Sequence, residues 1–231
     1  MISVCMATYN GGKYIRQQLE SVLAQIGAED EVVVSDDGST DDTLQIVNSF
    51  EDKRIKIFDG PKAHSASLNF ENAMRHSSGE YIFLCDQDDV WLPNKVSVML
   101  AALQVYDCVV SDCYITDGDL NVISNSFRNS MHFKNGRLYN LLARNSYSGS
   151  CMAFRRRVML KSLPMPNGVL MHDIWLGNVA AYKFSLTFLP DRLIYFRRHE
   201  ATTSSAGHKS RNSMWTKISS RFITAYKLIM L

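Results

Sequence analysis

The sequence predicts an α/β protein whose central sheet is mostly parallel and is flanked by helices. Short apolar runs alternate with helical patterns from Ile2 to Ser111, and several runs end in loops rich in Gly or Asp. This alternation is typical of parallel strands joined by right-handed crossovers. The chain has 231 residues, 46% hydrophobic and 21% charged, which is the composition of a globular protein with an ample core.

Net charge and cysteine content exclude several classes of protein. A net charge of +2 gives no reason to expect nucleic acid as a partner. The five cysteines are odd in number and none are in C-x-x-C spacing, which favours reduced, mostly buried thiols over a disulfide framework or a zinc site. Because the first strand begins at Ile2 with no basic and apolar region ahead of it, we expect no signal peptide, and no apolar run has transmembrane length. We therefore expect a cytoplasmic protein.

The first strand runs from Ile2 to Ala7 and is followed by a loop with two glycines, before a helix from Tyr14 to Gln25. Glycine permits a tight turn and a close approach of the backbone to a ligand. The loop lacks both G-x-G-x-x-G and a G-K-[ST] ending, so by itself it is a weak signal for phosphate binding. The loop residues are Thr8, Tyr9, Asn10, Gly11 and Gly12.

The second strand, Glu31 to Ser35, ends directly in Asp36 and Asp37. Carboxylates at a strand end can accept hydrogen bonds from a nucleobase or a ribose. They can also be acids at the start of a helix that interact favourably with the helix dipole, and Ser39 or Asp41 can cap the following helix. The residues alone leave both interpretations open.

The strand from Tyr81 ends in three carboxylates within four positions, Asp86, Asp88 and Asp89. The strand is apolar, so it is expected to be buried, with the acids at its carboxyl end where open α/β sheets bind ligands. Carboxylates this close repel one another unless a cation lies among them, and Mg²⁺ or Mn²⁺ would bring a phosphate with it. The alternative is an acidic surface turn.

Further elements follow in the same rhythm. We predict strands over Ile55–Phe58 and Cys108–Ser111, helices over Ser67–Arg75 and Val96–Tyr106, and an extended stretch over Ser148–Phe154. Periodicity weakens from 112 to 150, which indicates a poorly ordered insertion or a substrate-facing excursion. The three arginines 155–157 open a short helix and either meet phosphate or form a solvated face.

His172 and Asp173 open an apolar helix, where Asp173 is either a cap or a base at the floor of a pocket. Two short strands, 185–189 and 193–196, come next, and the second is closed by Arg197, Arg198 and His199. Such a basic trio can neutralise a diphosphate or complete a metal shell. A small polar stretch, 201–211, predicts a mobile loop.

The C-terminal segment predicts a basic amphipathic helix. Its apolar positions recur at helical spacing from Trp215 to Ile229, interleaved with Lys217, Arg221 and Lys227. Such a helix either packs on the domain or lies on an anionic membrane surface.

Four motifs in this order resemble glycosyltransferase family 2, whose catalytic domain has the GT-A fold, a Rossmann-like architecture. They are Ser3-Val4-Cys5-Met6-Ala7-Thr8-Tyr9-Asn10-Gly11, Ser35-Asp36-Asp37-Gly38-Ser39-Thr40-Asp41-Asp42-Thr43, Cys85-Asp86-Gln87-Asp88-Asp89-Val90-Trp91 and Tyr195-Phe196-Arg197-Arg198-His199. The resemblance implies a GT-A domain over residues 1–199, with a nucleotide-binding half (1–111), an acceptor-binding half (112–199) and a loop-plus-helix appendage (200–231). Within this family, the combination of the motifs D-Q-D-D-x-W and M-H-D resembles that of rhamnosyl- and glucosyltransferases that build bacterial surface polysaccharides, such as O-antigen or capsule.

The resemblance implies inverting transfer of a sugar from a nucleotide-diphosphate donor, with Mn²⁺ or Mg²⁺ as cofactor. The acceptor is expected to be a saccharide that is either free or linked to polyprenyl diphosphate at the inner membrane surface, where the enzyme would be peripheral. Asp173 matches the general base, and His172 stands where many members have Glu. By position, the family's nucleoside pocket is matched by Ala7, Thr8, Tyr9, Asn10, Asp36, Asp37 and Asp86. The family's metal site is matched by Asp88, Asp86 and His199. Its diphosphate or acceptor contacts are matched by His172, Arg197 and Arg198.

Three other functions compete with this one. A sugar-phosphate nucleotidyltransferase would carry a Gly-rich N-terminal loop with a catalytic Arg or Lys, which Gly11-Gly12-Lys13 matches poorly. A non-catalytic sugar-nucleotide-binding protein would be favoured by loss of the base or of the acids, and both are present. An Asp-nucleophile phosphotransferase would need a partner Lys or Thr pattern that the sequence does not show.

Overall fold

The computed structural model describes residues 1–133, 136–199 and 213–231 and confirms the predicted fold class. Strands and helices alternate through the first half, and a long helix closes the chain. The strands are β1 Ile2–Thr8, β2 Glu31–Asp36, β3 Ile55–Asp59, β4 Tyr81–Asp86, β5 Val90–Trp91, β6 Cys108–Thr116, β7 Val122–Ser124, β8 Met152–Arg155 and β9 Leu186–Arg197; the helices are α1 Ile15–Leu23, α2 Thr43–Asn48, α3 Ala66–His76, α4 Lys95–Leu103, α5 Phe127–Ser130, α6 Arg137–Leu142, α7 Arg156–Ser162, α8 His172–Lys183 and α9 Met214–Met230.

One sheet runs through the described residues in the order β3-β2-β1-β4-β8-β6-β9-β5, with β7 paired to β6. The first four strands in this order are mutually parallel, and β6 and β9 also pair in parallel. Strand β8 runs antiparallel to both of its neighbours. In β1, Ala7 is level with Asp86 and Thr8 is level with Asp36, so the acidic ends of β2 and β4 flank the end of β1.

The core explains why these segments are strands. Val32, Val33 and Val34 are fully buried although they are consecutive, because helices cover both faces of the parallel part of the sheet. Helix α1 buries Ile15, Leu19 and Val22, which recur at helical spacing. The five cysteines are free thiols and all of them are buried, as predicted.

Three boundaries differ from the sequence prediction. Strand β6 continues to Thr116, past the predicted end at Ser111, because pairing with β9 extends it through polar but buried positions. The two strands predicted over 185–189 and 193–196 are one strand, β9, whose register against β6 shifts around Pro190. The predicted extended stretch at Ser148 begins instead with a 3₁₀ turn, Gly149–Cys151.

The segment 112–150 is more structured than expected. The end of β6, β7, α5 and α6 lie within it, so the interpretation as a poorly ordered insertion is wrong for its described part. The predicted loop at 201–211 lies outside the described residues.

The three arginines at the start of α7 do not face the carboxyl ends of the strands. Arg155 donates to the Leu103 carbonyl at 2.6 Å, and Arg156 donates to the Gly79 carbonyl at 2.7 Å. Arg157 pairs with Asp107. These partners precede β4 and β6, at the edge of the sheet opposite the acidic loops. The phosphate interpretation of these arginines is therefore wrong, and they anchor α7.

Helix α9 forms over Met214–Met230 as predicted, with a side-chain cap from Ser213. It buries Ser220, Thr224 and Leu228 against the domain. In the parts of the chain that the structure describes, no helix has both the length and the apolar character needed to cross a membrane.

Candidate functional site

Three loops meet at the carboxyl ends of β1, β2 and β4, and the side chain of Gln87 fastens two of them. Its amide oxygen accepts the Tyr9 N–H at 2.9 Å, and its amide nitrogen donates to the Tyr9 carbonyl at 3.0 Å. A Cβ added to Gly11 would lie 2.3 Å from the same amide oxygen, so a larger residue there would displace the Gln87 side chain from Tyr9. Gln87, which lies between Asp86 and Asp88 in the sequence, thus fixes the loop after β1.

The Asp36 and Asp37 carboxylates are buried and hydrogen-bonded within the chain. Asp36 accepts from the Ser39 N–H at 2.8 Å and from the Thr8 hydroxyl at 2.8 Å, together with two further donors. Asp37 accepts from the N–H groups of Ala63 and Ser65, both at 3.1 Å. Both acids hold neighbouring loops in place, and the acceptor capacity of Asp36 is filled.

The loop after β1 presents an aromatic ring to solvent. Tyr9 is 41% exposed and meets the His64 ring edge-on, with 4.7 Å between centroids. Asn10 adopts a left-handed φ of 48°, and its amide oxygen accepts the Thr40 N–H at 2.8 Å. Ala7 and Thr8 end β1 beneath this loop. Of the predicted nucleoside residues, Tyr9 and Asn10 are exposed, whereas Thr8, Asp36 and Asp37 are buried beneath them.

Among the acids after β4, burial and neighbouring charges favour the protonated forms of Asp86 and Asp89. Burial, with the nearby charges of Asp88 and Asp173, raises the pKa of Asp86 to about 8. Burial, with Asp88 and Asp86, also raises the pKa of Asp89 well above its usual range. No described residue hydrogen-bonds the Oδ2 atom of Asp89. A cation among these groups would relieve this repulsion.

The end of β9 brings His199 to this cluster. Its Nε2 lies 2.7 Å from Oδ2 of Asp88, and each of the two side chains is about 15% exposed. The His199 ring packs on Tyr14, with centroids 4.6 Å apart. Asp88 and His199 thus lie together although they are far apart in sequence.

Arg197 is buried, and its guanidinium is bound within the chain. It donates to the carbonyls of Asp88 and Gly118 at 2.8 and 2.6 Å, and to the side chain of Gln17 at 2.6 Å. The geometry makes it a clamp for the acidic loop rather than a free cation beside a diphosphate. Burial lowers the pKa of Arg198, whose Nε has no hydrogen-bond partner among the described residues.

Helix α8 presents Asp173 to the same cleft. Burial raises the pKa of Asp173 to about 7, opposed by hydrogen bonds from the Ile174 N–H, the Asn145 side chain and the Gly149 N–H. The Ile174 N–H donates to Oδ1 of Asp173 at 2.6 Å. Asp173 is also one of the neighbouring charges that raise the pKa of Asp86. The fold therefore brings Asp173 beside the acids after β4.

His172 is only 4% exposed and packs on Phe70, with ring centroids 4.2 Å apart. Burial lowers its pKa to about 3, so the ring is neutral at physiological pH. Neither ring nitrogen has a partner among the described residues. A neutral ring cannot offset the charge of a diphosphate, but it can hydrogen-bond a hydroxyl. It lines a recess of about 190 Å³ that Ser65 and Trp175 also line.

Sequence reasoning missed three residues that shape the site. Gln87 could have been found as the middle residue of the acidic motif. Tyr14 packs on His199 and also lies under Arg197, 4.5 Å from ring centroid to guanidinium. Asn145 supports Asp173 from an irregular loop, where no sequence signal marked it.

Among the described residues, no group of three or more His, Cys, Asp or Glu side chains is arranged to hold a metal ion. Asp88 and His199 form a two-residue set of oxygen and nitrogen donors. Such a pair suits an ion that takes its remaining ligands from phosphate and water.

Comparison with known proteins gives the family. Residues 3–163 match the family model described as glycosyl transferase family 2. WfgD of Escherichia coli, a UDP-Glc:alpha-D-GlcNAc-diphosphoundecaprenol beta-1,3-glucosyltransferase, is 34% identical over 103 residues, 45% of this chain and 41% of that protein. An uncharacterized glycosyltransferase of Nostoc is 27% identical over 214 residues, 87% of this chain and 65% of that protein. The chain thus spans less than two thirds of either relative.

Solved structures agree on the architecture. TarS 1–349 of S. aureus in complex with UDP-GlcNAc superposes with a TM-score of 0.72 at 21% identity, over 90% of this chain and 62% of that one. The mannosyltransferase PcManGT of Pyrobaculum calidifontis, in complex with GDP-Man and Mn²⁺, gives 0.64 at 20% identity, over 87% and 57%. At these identities the likeness shows a common fold.

Proposed function

The chain belongs to glycosyltransferase family 2, and we propose that it transfers a hexose or deoxyhexose, with inversion, from a UDP- or dTDP-sugar to a saccharide hydroxyl. The proposed acceptor is a growing bacterial polysaccharide carried on a lipid diphosphate. This acceptor class is supported by WfgD and by WfaP, a second E. coli relative of the same description that is 34% identical over 97 residues, 42% of this chain and 39% of that protein.

One observation carries this proposal. Asp173, at the start of α8, lies close enough to the acids after β4 for its charge to raise the pKa of Asp86. A displacement reaction needs a group that accepts the proton of the attacking hydroxyl and a group that stabilises the leaving diphosphate. We assign the first role to Asp173 and the second to the acidic cluster at the carboxyl ends of the parallel strands.

Asp173 is the proposed general base. With a pKa of about 7 it is substantially deprotonated at neutral pH yet basic enough to accept the proton of an acceptor hydroxyl. As that proton moves to Asp173, the hydroxyl oxygen bonds to the anomeric carbon from the face opposite the leaving group. The bond from the anomeric carbon to the diphosphate oxygen breaks, and its electron pair leaves with the diphosphate. A base so placed typically contributes 10²–10⁴-fold in rate.

Asp88 and His199 are the proposed protein ligands of Mn²⁺ or Mg²⁺, and Asp86 is assigned to the ribose or to a metal-bound water. The ion, when bound, supplies Lewis-acid stabilisation of charge on the diphosphate. The two side chains already face each other at 2.7 Å, and Tyr14 and Arg197 hold the segments that carry them.

The proposed nucleoside pocket is the surface around Tyr9. Its exposed ring offers a stacking face, and Asn10, Asp36 and Asp37 keep the surrounding loops in shape, with Ala7 and Thr8 forming the floor. His172 is assigned to a sugar hydroxyl, because a buried neutral imidazole offers one donor and one acceptor. Arg198 stays a candidate for a diphosphate or acceptor contact.

We assign donor binding to residues 1–111 and acceptor binding to residues 112–199, with α9 attached to the acceptor side. A cytoplasmic enzyme that visits the inner membrane surface would meet a lipid-linked acceptor there. The exposed apolar side chains of α9, among them Trp215 at 81% and Phe222 at 72% exposure, support this placement.

The first test is calorimetric titration with UDP, dTDP and GDP, each with and without Mn²⁺. We expect one uridine or thymidine nucleotide to bind tightly and in a metal-dependent manner. Metal-independent binding, or binding of none of the three, would count against the transferase assignment of these acids.

The second test is Asp173→Asn in a transfer assay with the nucleotide sugar so identified. Transfer should fall by roughly 10²–10⁴-fold, while donor affinity stays near that of the wild type. The matched control is Glu51→Gln, which removes an exposed carboxylate after α2, remote from the acidic loops. Unchanged turnover in Asp173→Asn would exclude Asp173 as the base.

A further inference from the structure

A small recess lies between α9 and the start of α8. It has a volume of about 60 Å³ and is lined by Lys217 and Arg221 of α9, by Ile174 of α8 and by Asn145. Lys217 and Arg221 are four residues apart and therefore project from one face of the helix. Two cations thus share one wall of a small recess.

No carboxylate of the described residues forms an ion pair with Lys217 or Arg221. Helix α9 itself contains no Asp or Glu between Met214 and Met230. One Arg221 nitrogen donates to the Ala143 carbonyl, which fixes the guanidinium at the recess and leaves its other N–H donors for a ligand.

The recess adjoins the proposed base. Asn145 lines it and its side chain also hydrogen-bonds Asp173. Ile174, the next residue in the chain, lines it too and donates its N–H to Asp173 at 2.6 Å. An acceptor sugar whose attacking hydroxyl sits at Asp173 would therefore direct another of its substituents toward Lys217 and Arg221.

We propose that Lys217 and Arg221 form the subsite for the diphosphate that links the acceptor sugar to its lipid. This inference rests on the proposed transferase function. Arginine and lysine are the side chains that recognise phosphate oxygens, and Arg does so with a fork of donors. The occupant also fits the surroundings, because Trp215 and Phe222, on the solvent-exposed side of the same helix, offer an apolar surface for a lipid chain that leaves the recess.

The test compares two acceptors that carry the same sugar, one on a lipid diphosphate and one on an uncharged alkyl chain. Transfer is measured in neutral detergent micelles free of phospholipid. The readout is the ratio of kcat/KM for the charged acceptor to that for the neutral one. In Lys217→Gln this ratio should fall on the order of tenfold, and in Lys217→Gln/Arg221→Gln on the order of a hundredfold.

Two further variants serve as controls for this interpretation. Lys217→Arg keeps the charge and should restore most of the ratio. Lys227→Gln removes an exposed cation of α9 that does not line the recess, and it should leave the ratio at the wild-type value. The Lys217 ammonium makes no hydrogen bond to any described residue, so Lys217→Gln is not expected to disturb the fold.

Each outcome is decisive. Equal losses on both acceptors would overturn the subsite and would mean that α9 only supports the base. An unchanged ratio in micelles, combined with weaker binding to vesicles of anionic phospholipid, would show a headgroup site and also overturn it. A wild type that transfers to neither acceptor would instead refute the proposed function itself.

Discussion

Replacing Asp173 by Asn is expected to stabilise the protein in alkaline solution while it removes transfer. Burial raises the pKa of Asp173 from 3.8 to about 7. The folded protein therefore retains a proton that the unfolded chain releases. The wild-type free energy of unfolding consequently declines as the pH rises from about 4 to about 7 through this group. Asn carries no such penalty because it does not ionise.

The structure sets the size of the effect. A rise of about 3 pKa units corresponds to at most ~4 kcal/mol above pH 7. Asp173 is not fully buried, and solvent screening reduces this to about 2–3 kcal/mol. Asn accepts fewer hydrogen bonds than the carboxylate does from Ile174 and Gly149, at a cost of about 1 kcal/mol. We expect a net stabilisation of about 1–2 kcal/mol near pH 8 and little or none near pH 5.

The assay is urea unfolding of wild type and Asp173→Asn at both pH values, with chelator present so that no metal alters the acids. Glu51→Gln, at an exposed position, should show no pH-dependent difference from wild type. If Asp173→Asn destabilised the protein by the same amount at both pH values, the carboxyl would not have a raised pKa. The assignment of Asp173 as a base near neutrality would then lose its physical support.

Three other substitutions probe the acidic loop. Asp88→Ala should abolish the Mn²⁺-dependent part of UDP binding in calorimetry, and a retained metal effect would exclude Asp88 as a ligand. Gln87→Leu removes both hydrogen bonds to Tyr9 and should weaken nucleotide affinity roughly tenfold with little change in kcat. Wild-type affinity in this variant would show that these two hydrogen bonds are not needed to position the loop after β1. Arg197→Lys keeps the charge but loses the fork of donors, and should lower the free energy of unfolding in urea by about 2–3 kcal/mol. A loss below about 0.5 kcal/mol would contradict the clamp role.

The sequence predicted the sheet well where the information is local. The apolar runs of β1, β2 and β4 are buried on both faces, so each strand was visible without knowledge of its neighbours. Their polar ends were expected at one edge because parallel strands place their carboxyl ends together. The prediction was poorer for β6 and β9, because each is held as a strand by pairing with the other, across buried polar positions and Pro190.

The four motifs that carry the family resemblance, and therefore the family, were readable from the sequence by itself. Tertiary structure alone decided what each side chain faces. Asp173 lies beside Asp86, and Arg197 is clamped on the carbonyl of Asp88, although residues of these pairs are separated by 87 and 109 positions. Burial made His172 neutral and raised the pKa of Asp173, and local sequence carries no signal for either effect. The physical reason is that strand and turn formation depend on neighbours along the chain, whereas charge state depends on everything that excludes water around a group.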